Sequence, residues 1–370
     1  MGDATGTTDT TGTQEASPVR RPIIGPFAWR GAELAERDWI RPLPEGALDE
    51  IDAALGGVKA RGLAWRDITR ADFPVPEFAA TLAEVGRELE HGRGFVRLRG
   101  LPAARYDEDD LRRIFWGIGT HLGTARYQNA DGELIGEVRD EVRAFGEVRE
   151  AFKPDRSLDF PRSSRSKSRS SGPLRFHTDR CDAIGLLCAR ASRSGGISKM
   201  VSAVAIHNEI LARRPDLLEV LYGDYYRCRV GEERGGEATA YAIPVFAVER
   251  GHFTTQYSRT FVETAPSVPG VPPLSARQIE ALDLLHEVGE ELCVQAHFEP
   301  GDMQFLNNHV IYHGRGAFED DEAGPGEGQG RLLLRLWLSM PDSRPLPKGH
   351  AVLWGATEAG ALRGGIAQPE

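Results

Sequence analysis

The chain has 370 residues, of which 40% are hydrophobic and 27% charged, a balance that supports a substantial core and excludes a wholly disordered polymer. A formal net charge of -10 argues against a general nucleic-acid binder, which needs a basic face. No run of apolar residues reaches the roughly 18 needed to span a bilayer, and the N-terminus lacks an apolar core, so neither a membrane association nor a secretory leader is expected.

Residues 1–20 are rich in Thr and Gly and read as a disordered tail, because they offer little to offset the entropy of ordering. The remainder, 21–370, reads as one domain. Apolar spacing predicts helices over 46–56 and 76–92, the second carrying Phe78, Leu82, Val85 and Leu89 on one face. A strand is expected over 92–102 and a helix over 108–122, so the part up to about residue 125 is largely helical. Residues 153–173 are rich in Ser, Arg and Pro and read as a long mobile loop, either a solvated insertion or a lid. The stretch 151–175 holds seven Lys or Arg against two Asp, a local excess that suits an anionic or carrier-bound substrate.

Short strands follow, at LRFHTD, IGLLCARA and SKMVSAVAI. A helix is expected over 206–222, strands near 225–230 and 243–248, and a helix over 275–290. The segment QAHFEPGDMQFLNNHVIYHGR and the strand RLLLRLWLSM complete the pattern, separated by a polar loop over 319–330. Many short strands with Gly and Pro turns indicate a mainly β protein with flanking helices, its jelly-roll core spanning about 93–345. The four cysteines, Cys181, Cys188, Cys228 and Cys293, form no C-x-x-C pair, which fits a reducing, cytoplasmic setting.

His177-Thr178-Asp179 is the first chemically informative motif. On a strand, residues two apart share a face, so an imidazole and a carboxylate would enter one cavity. A third ligand must come from elsewhere, and His313 is the best candidate. Two histidines and one carboxylate suit iron(II) and leave positions open for other ligands. His309 competes for the role, since four residues along a strand again give the same face. Arg331 and Arg335 are the second informative pair. They would share one face of a strand with Leu333 and Trp337, where guanidinium groups are costly unless an anion pairs with them.

Taken together, His177-Thr-Asp179, Gly195-Gly196-Ile-Ser198, Asn308 five residues before His313, and Arg331 with Arg335 resemble the taurine dioxygenase (TauD/TfdA-like) family over roughly residues 90–345. The resemblance implies a double-stranded β-helix, or cupin-like jelly roll. It implies Fe(II) held by His177, Asp179 and His313, with 2-oxoglutarate and O2 as co-substrates. It further implies that Ser198 and Arg331 bind the distal carboxylate of 2-oxoglutarate, and that Arg335 lies near its 1-carboxylate or the substrate. Ser198 stands where the family usually has Thr, and the loop before Arg331 is longer than usual. A carboxylate at 179 implies oxygen rather than halogen chemistry, because halogenating relatives carry a small residue there. The expected reaction oxidises, in the first instance hydroxylates, an unactivated C–H bond of a small molecule, releasing succinate and CO2. Tyr127, Gln128 and His309 are candidates for the substrate side, and a homo-oligomer is compatible with the sequence. A non-catalytic metal- or ligand-binding jelly roll and a zinc hydrolase are the competing readings.

Overall fold

The computed structural model describes residues 20–140, 170–229, 233, 236–320 and 330–366. The tail expected over 1–20, apart from Arg20, lies outside them, as do 153–169 of the expected lid and 321–329 of the polar loop. No helix among the described residues is long and apolar enough to cross a membrane.

Two sheets form the body of the protein. The larger has seven strands. Its path runs β1 (Ile40–Pro42), β2 (Phe95–Arg99), β14 (Met303–Asn307), β6 (Ala183–Arg190), β17 (Leu332–Ser339) and β3 (Thr124–Ala125), with β4 (Ile135–Val138) also pairing β17. The smaller runs β13 (Val294–Ala296), β8 (Ser198–Ser202), β15 (Ile311–Arg315) and β5 (Leu174–His177). All neighbours are antiparallel except β1 with β2. Small two-stranded sheets lie beside them: β7 (Ser194–Gly195) with β16 (Phe318–Glu319), β9 (Asp224–Cys228) with β10 (Ala240–Pro244), and β11 (Phe246–Glu249) with β12 (His252–Thr255).

Alternation along β17 sets the layers. Leu332, Leu334, Leu336 and Leu338 face outward from the sheet and pack in one core with α1 (Ala47–Ala60), α2 (Phe78–His91) and α3 (Glu108–Leu122). Burying each such side chain contributes roughly 1.5–3 kcal/mol. Leu333, Arg335 and Trp337 take the opposite parity and face the space between the sheets. A second core packs α4 (Ala203–Arg213), α5 (Pro215–Leu221) and α7 (Ala276–Leu292) with Met200 and Val201 of the smaller sheet. A short helix, α6 (Arg259–Thr264), stands between them in the chain.

Two expected elements differ. SKMVSAVAI is a strand only as far as Ser202, whose hydroxyl accepts from the Ala205 N–H at 2.9 Å and starts α4. The single helix expected over 206–222 is two, because Pro215 cannot donate and begins α5.

Candidate active site

His177 closes β5, and its Nδ1 lies 2.9 Å from the Arg175 carbonyl. A carbonyl only accepts, so Nδ1 carries the proton and Nε2 presents its lone pair. Asp179 reaches the same place by a different route from the one its spacing suggests. The strand ends at His177, and Thr178 and Asp179 lie beyond it. The Thr178 N–H donates to Tyr257 at 2.8 Å, and the Asp179 N–H donates to the Asn308 side-chain oxygen at 3.0 Å. Asn308 is fully buried and also donates to the Cys181 carbonyl at 3.0 Å. This one amide therefore fixes the bend that aims the carboxylate.

His313 sits in β15 directly opposite His177 in register. The two rings lie 4.2 Å apart. His177 Nε2 is 3.8 Å from one Asp179 oxygen, and His313 Nε2 is 3.8 Å from the other. These separations exceed hydrogen-bond reach. Two ligands each about 2.1 Å from a common ion lie at most about 4.2 Å apart, and both separations from the Asp179 carboxylate fall inside that limit. The ligating atoms of His177, Asp179 and His313 all fall within 4.8 Å of one another.

The electrostatics agree with that geometry. Burial lowers His177, with Asp179 only partly opposing it. Burial, then the neighbouring His177, pushes His313 down to about 3. Burial opposes the Asp179 charge, but the Arg335 guanidinium, both imidazoles and the Trp337 N–H hold its carboxyl below the ordinary range. At neutral pH the group is therefore two neutral imidazoles and one carboxylate, with no proton to displace before a cation binds.

Asp179 Oδ2 accepts from Trp337 Nε1 at 2.9 Å and lies 3.5 Å from Arg335 Nη1. Arg335 is held in turn by Gln128. The Gln128 side-chain oxygen accepts from Arg335 Nε at 2.7 Å, and its amide donates to the Arg335 and Leu134 carbonyls at 2.8 and 2.9 Å. Gly136 keeps this space open, since a Cβ there would stand 2.6 Å from the Gln128 oxygen. Gln128, expected on the substrate side, thus acts on Arg335. Gln128→Ala should weaken iron binding by no more than about tenfold, at the low end of what losing an outer partner costs, because Gln128 reaches Asp179 only through Arg335. Titration of Fe(II) under anaerobic conditions checks this.

A cavity opens between the sheets beside the triad. His177, His313 and Arg335 line it together with Ser198, Gln304, Arg315 and Arg331. Ser198 opens β8 after Gly195 and Gly196, both with positive φ. A Cβ on Gly196 would lie 3.4 Å from Arg331 Nε and 2.8 Å from the Ser192 hydroxyl, so the pair of glycines gives both the turn and room for the guanidinium. Arg331 Nη1 is buried with no hydrogen-bond partner. Burial lowers Arg331 to about 10, against the pull of Cys188 and Asp320, so it remains a cation at neutral pH. Gln304 Nε2 is likewise buried and unpartnered.

Two sequence candidates lie elsewhere. Tyr127 is half-exposed and lines a separate groove with Trp116, Leu336 and Leu338, on the helix-covered side of β17. His309 points away from the triad. Residues 308–310 are a turn between β14 and β15, so counting alternation from His313 back to His309 fails. Its Nε2 meets Asp182 at 2.9 Å and its Nδ1 meets Thr254 at 2.9 Å, while Arg363 holds the same carboxylate at 2.7 Å. Burial lowers His309 to about 4. The folded ring thus stays neutral down to that pH, while an unfolded one takes a proton near 6.5. Its contribution is full above 6.5 and is lost as pH falls towards 4. His309→Ala should cost about 2–4 kcal/mol of stability and flatten that pH dependence. Denaturant melts between pH 4 and 7.5 would show it.

Sequence reasoning missed Arg315 and Gln304. Arg315 was accessible to it, because two residues beyond His313 on a strand is the same face.

A jelly roll with two histidines and one carboxylate beside an arginine-lined cavity defines a non-haem iron-type oxygenase site. The family model "Taurine catabolism dioxygenase TauD, TfdA family" matches residues 59–337. FR-33289 synthase of Streptomyces rubellomurinus is 30% identical over 346 residues, covering 92% of this chain and 97% of that protein. The taurine hydroxylase-like protein SAT17 of Stachybotrys chartarum is 30% identical over 322 residues, covering 84% and 78%. Among solved structures, asparagine oxygenase superposes with a TM-score of 0.59 at 16% identity, covering 83% of this chain and 96% of that one. The non-heme iron oxygenase OrfP, in complex with Fe and alpha-ketoglutaric acid, gives 0.55 at 17%, covering 81% and 94%. At those identities the structures speak for the shared fold. The chain belongs to the TauD/TfdA family and is a non-haem Fe(II)/2-oxoglutarate-dependent dioxygenase.

Proposed function

We propose that His177, Asp179 and His313 hold Fe(II), that Arg331 and Ser198 receive the distal carboxylate of 2-oxoglutarate, and that the product is a hydroxylated small molecule. The observation that carries this is one cavity lined both by the two histidines of the His177, Asp179 and His313 cluster and by a buried guanidinium with an unpartnered N–H. A donor set of two imidazoles and one carboxylate fits iron(II), and the unpartnered Arg331 donor fits a carboxylate. The bound iron supplies the oxidation of an unactivated C–H bond, driven by oxidative decarboxylation of 2-oxoglutarate with O2 to succinate and CO2.

The chain's own groups bind and orient. Arg175 fixes the His177 tautomer through its carbonyl, Trp337 and Arg335 hold Asp179, and Gln128 holds Arg335. Ile184, Leu186 and Leu333 give the cavity part of its wall as apolar surface. A zinc hydrolase has no use for Arg331. The substrate reads as a small molecule, in keeping with OrfP, whose structures include (3S)-hydroxy-L-Arg. An anionic or carrier-bound character would rest on the basic stretch 151–175, most of which lies outside the described residues. The four free thiols support a cytoplasmic setting.

Incubation with Fe(II), O2 and 1-labelled 2-oxoglutarate tests the reading. Labelled CO2 and succinate are expected in equal amounts, at a slow uncoupled rate without substrate. Release no faster than with free iron, across a panel of amino-acid-sized candidates, would contradict it.

A further inference from the structure

Besides Arg335 beside the triad, the cavity is lined by two further arginines, Arg315 and Arg331. Arg315 follows His313 by two residues on β15 and lines the same cavity as Arg331. It is 6% exposed. Its Nη2 donates to the Ser170 and Gly172 carbonyls at 2.7 and 2.6 Å. Its Nε and Nη1 are buried and have no hydrogen-bond partner, as is true of Arg331 Nη1. The two guanidinium carbons lie 4.6 and 5.1 Å from the centroid of one ring, Phe318. Ser198 pairs with Arg315 in register on the adjacent strand and lines the same cavity. Asp140 and Asp320 are in electrostatic reach of Arg315, and Asp320 also of Arg331, whose backbone N–H donates to the Asp320 carboxylate at 2.9 Å. Neither guanidinium forms an ion pair among the described residues.

Two buried like charges, each with unused donors facing one space, repel each other and forgo hydration. An anion between them relieves both costs. We infer that Arg315 is a second guanidinium for the distal carboxylate of the 2-oxo acid, gripping it from the β15 side while Arg331 grips it from the residue that precedes β17. This rests on the 2-oxoglutarate reading above. It makes Arg315 a selectivity residue, one that sets the preference for a 2-oxo dicarboxylate over a 2-oxo monocarboxylate of the same length. The competing account gives Arg315 only the task of tying residues 170–172 to β15.

The test compares 2-oxoglutarate with 2-oxovalerate, which has the same five-carbon chain but a methyl group in place of the distal carboxylate. Affinities for both are measured by calorimetry on the anaerobic Fe(II)-loaded full chain, wild type and Arg315→Gln. Glutamine retains an N–H for the Ser170 and Gly172 carbonyls. The wild type should prefer 2-oxoglutarate, and Arg315→Gln should narrow that preference about tenfold or more, as expected when a charged hydrogen bond is lost. Equal weakening of both acids, or no change in either, would overturn the inference and leave the 2-oxoglutarate reading standing. Failure of the wild type to bind 2-oxoglutarate would overturn both. Should Arg315→Gln melt too low to titrate, Arg315→Lys carries the same comparison, with the preference again expected to narrow because lysine offers a point charge in place of the planar fork.

Discussion

Asp179→Ala should remove iron binding and turnover together. The carboxylate is the only anionic member of the triad, and it is flanked by Arg335 Nη1 at 3.5 Å. Without it, an incoming dication meets two neutral imidazoles and an uncompensated guanidinium. Attraction is replaced by repulsion inside a buried site, where screening is weak. Losing an outer partner of a metal site typically costs 10–100-fold in affinity. Losing this ligand should cost more than about 100-fold, and the variant should show no succinate formation. Asp179→Asn is a useful companion. It keeps the size and one oxygen for Trp337 Nε1, so any iron binding it recovers measures shape, and what it fails to recover measures charge.

Arg331 gives the second large effect, with opposite signs in two measurements. In the free protein, its buried Nη1 has no partner. Replacing it with Met keeps an unbranched but shorter side chain and removes a buried cation and its orphaned donor. Stability of the free protein should rise by about 1–3 kcal/mol, the cost usually attached to such a group. Affinity for 2-oxoglutarate should fall by roughly 2–5 kcal/mol, or about 30-fold to several thousand-fold, because the partner carboxylate is then buried unpaired. A purely structural arginine would lose stability on this change. Denaturant titration and 2-oxoglutarate calorimetry on the same preparation separate the two outcomes.

Strand parity explains most of what the sequence made legible. Arg335 falls on the cavity side of β17 and the leucines between fall on the helix side, as simple alternation requires. His313 and Arg315 follow the same rule on β15. The rule stops where the strand stops. Asp179 lies past the end of β5 and is aimed by Asn308, a contact between residues 129 positions apart in the chain. His309 lies in the β14–β15 turn, where alternation has no meaning, and the Asp182–Arg363 cluster captures it. Gln128 and Tyr127 are adjacent, yet one reaches Arg335 and the other lines a groove on the opposite side of β17. Only tertiary pairing of β17 with its neighbours distinguishes them. The break of the expected 206–222 helix at Pro215 was written in the sequence, because proline is a common first residue of a helix and a poor interior one.

The most direct test is the visible absorption of the wild-type protein under anaerobic conditions, with Fe(II) and 2-oxoglutarate added in turn. A 2-oxo acid chelating Fe(II) in this site should give a charge-transfer band that saturates at one equivalent of iron, disappears in His177→Ala and is absent with succinate. No band in the folded wild-type protein, or an undiminished band in His177→Ala, would contradict the assignment of His177, Asp179 and His313 as the iron site.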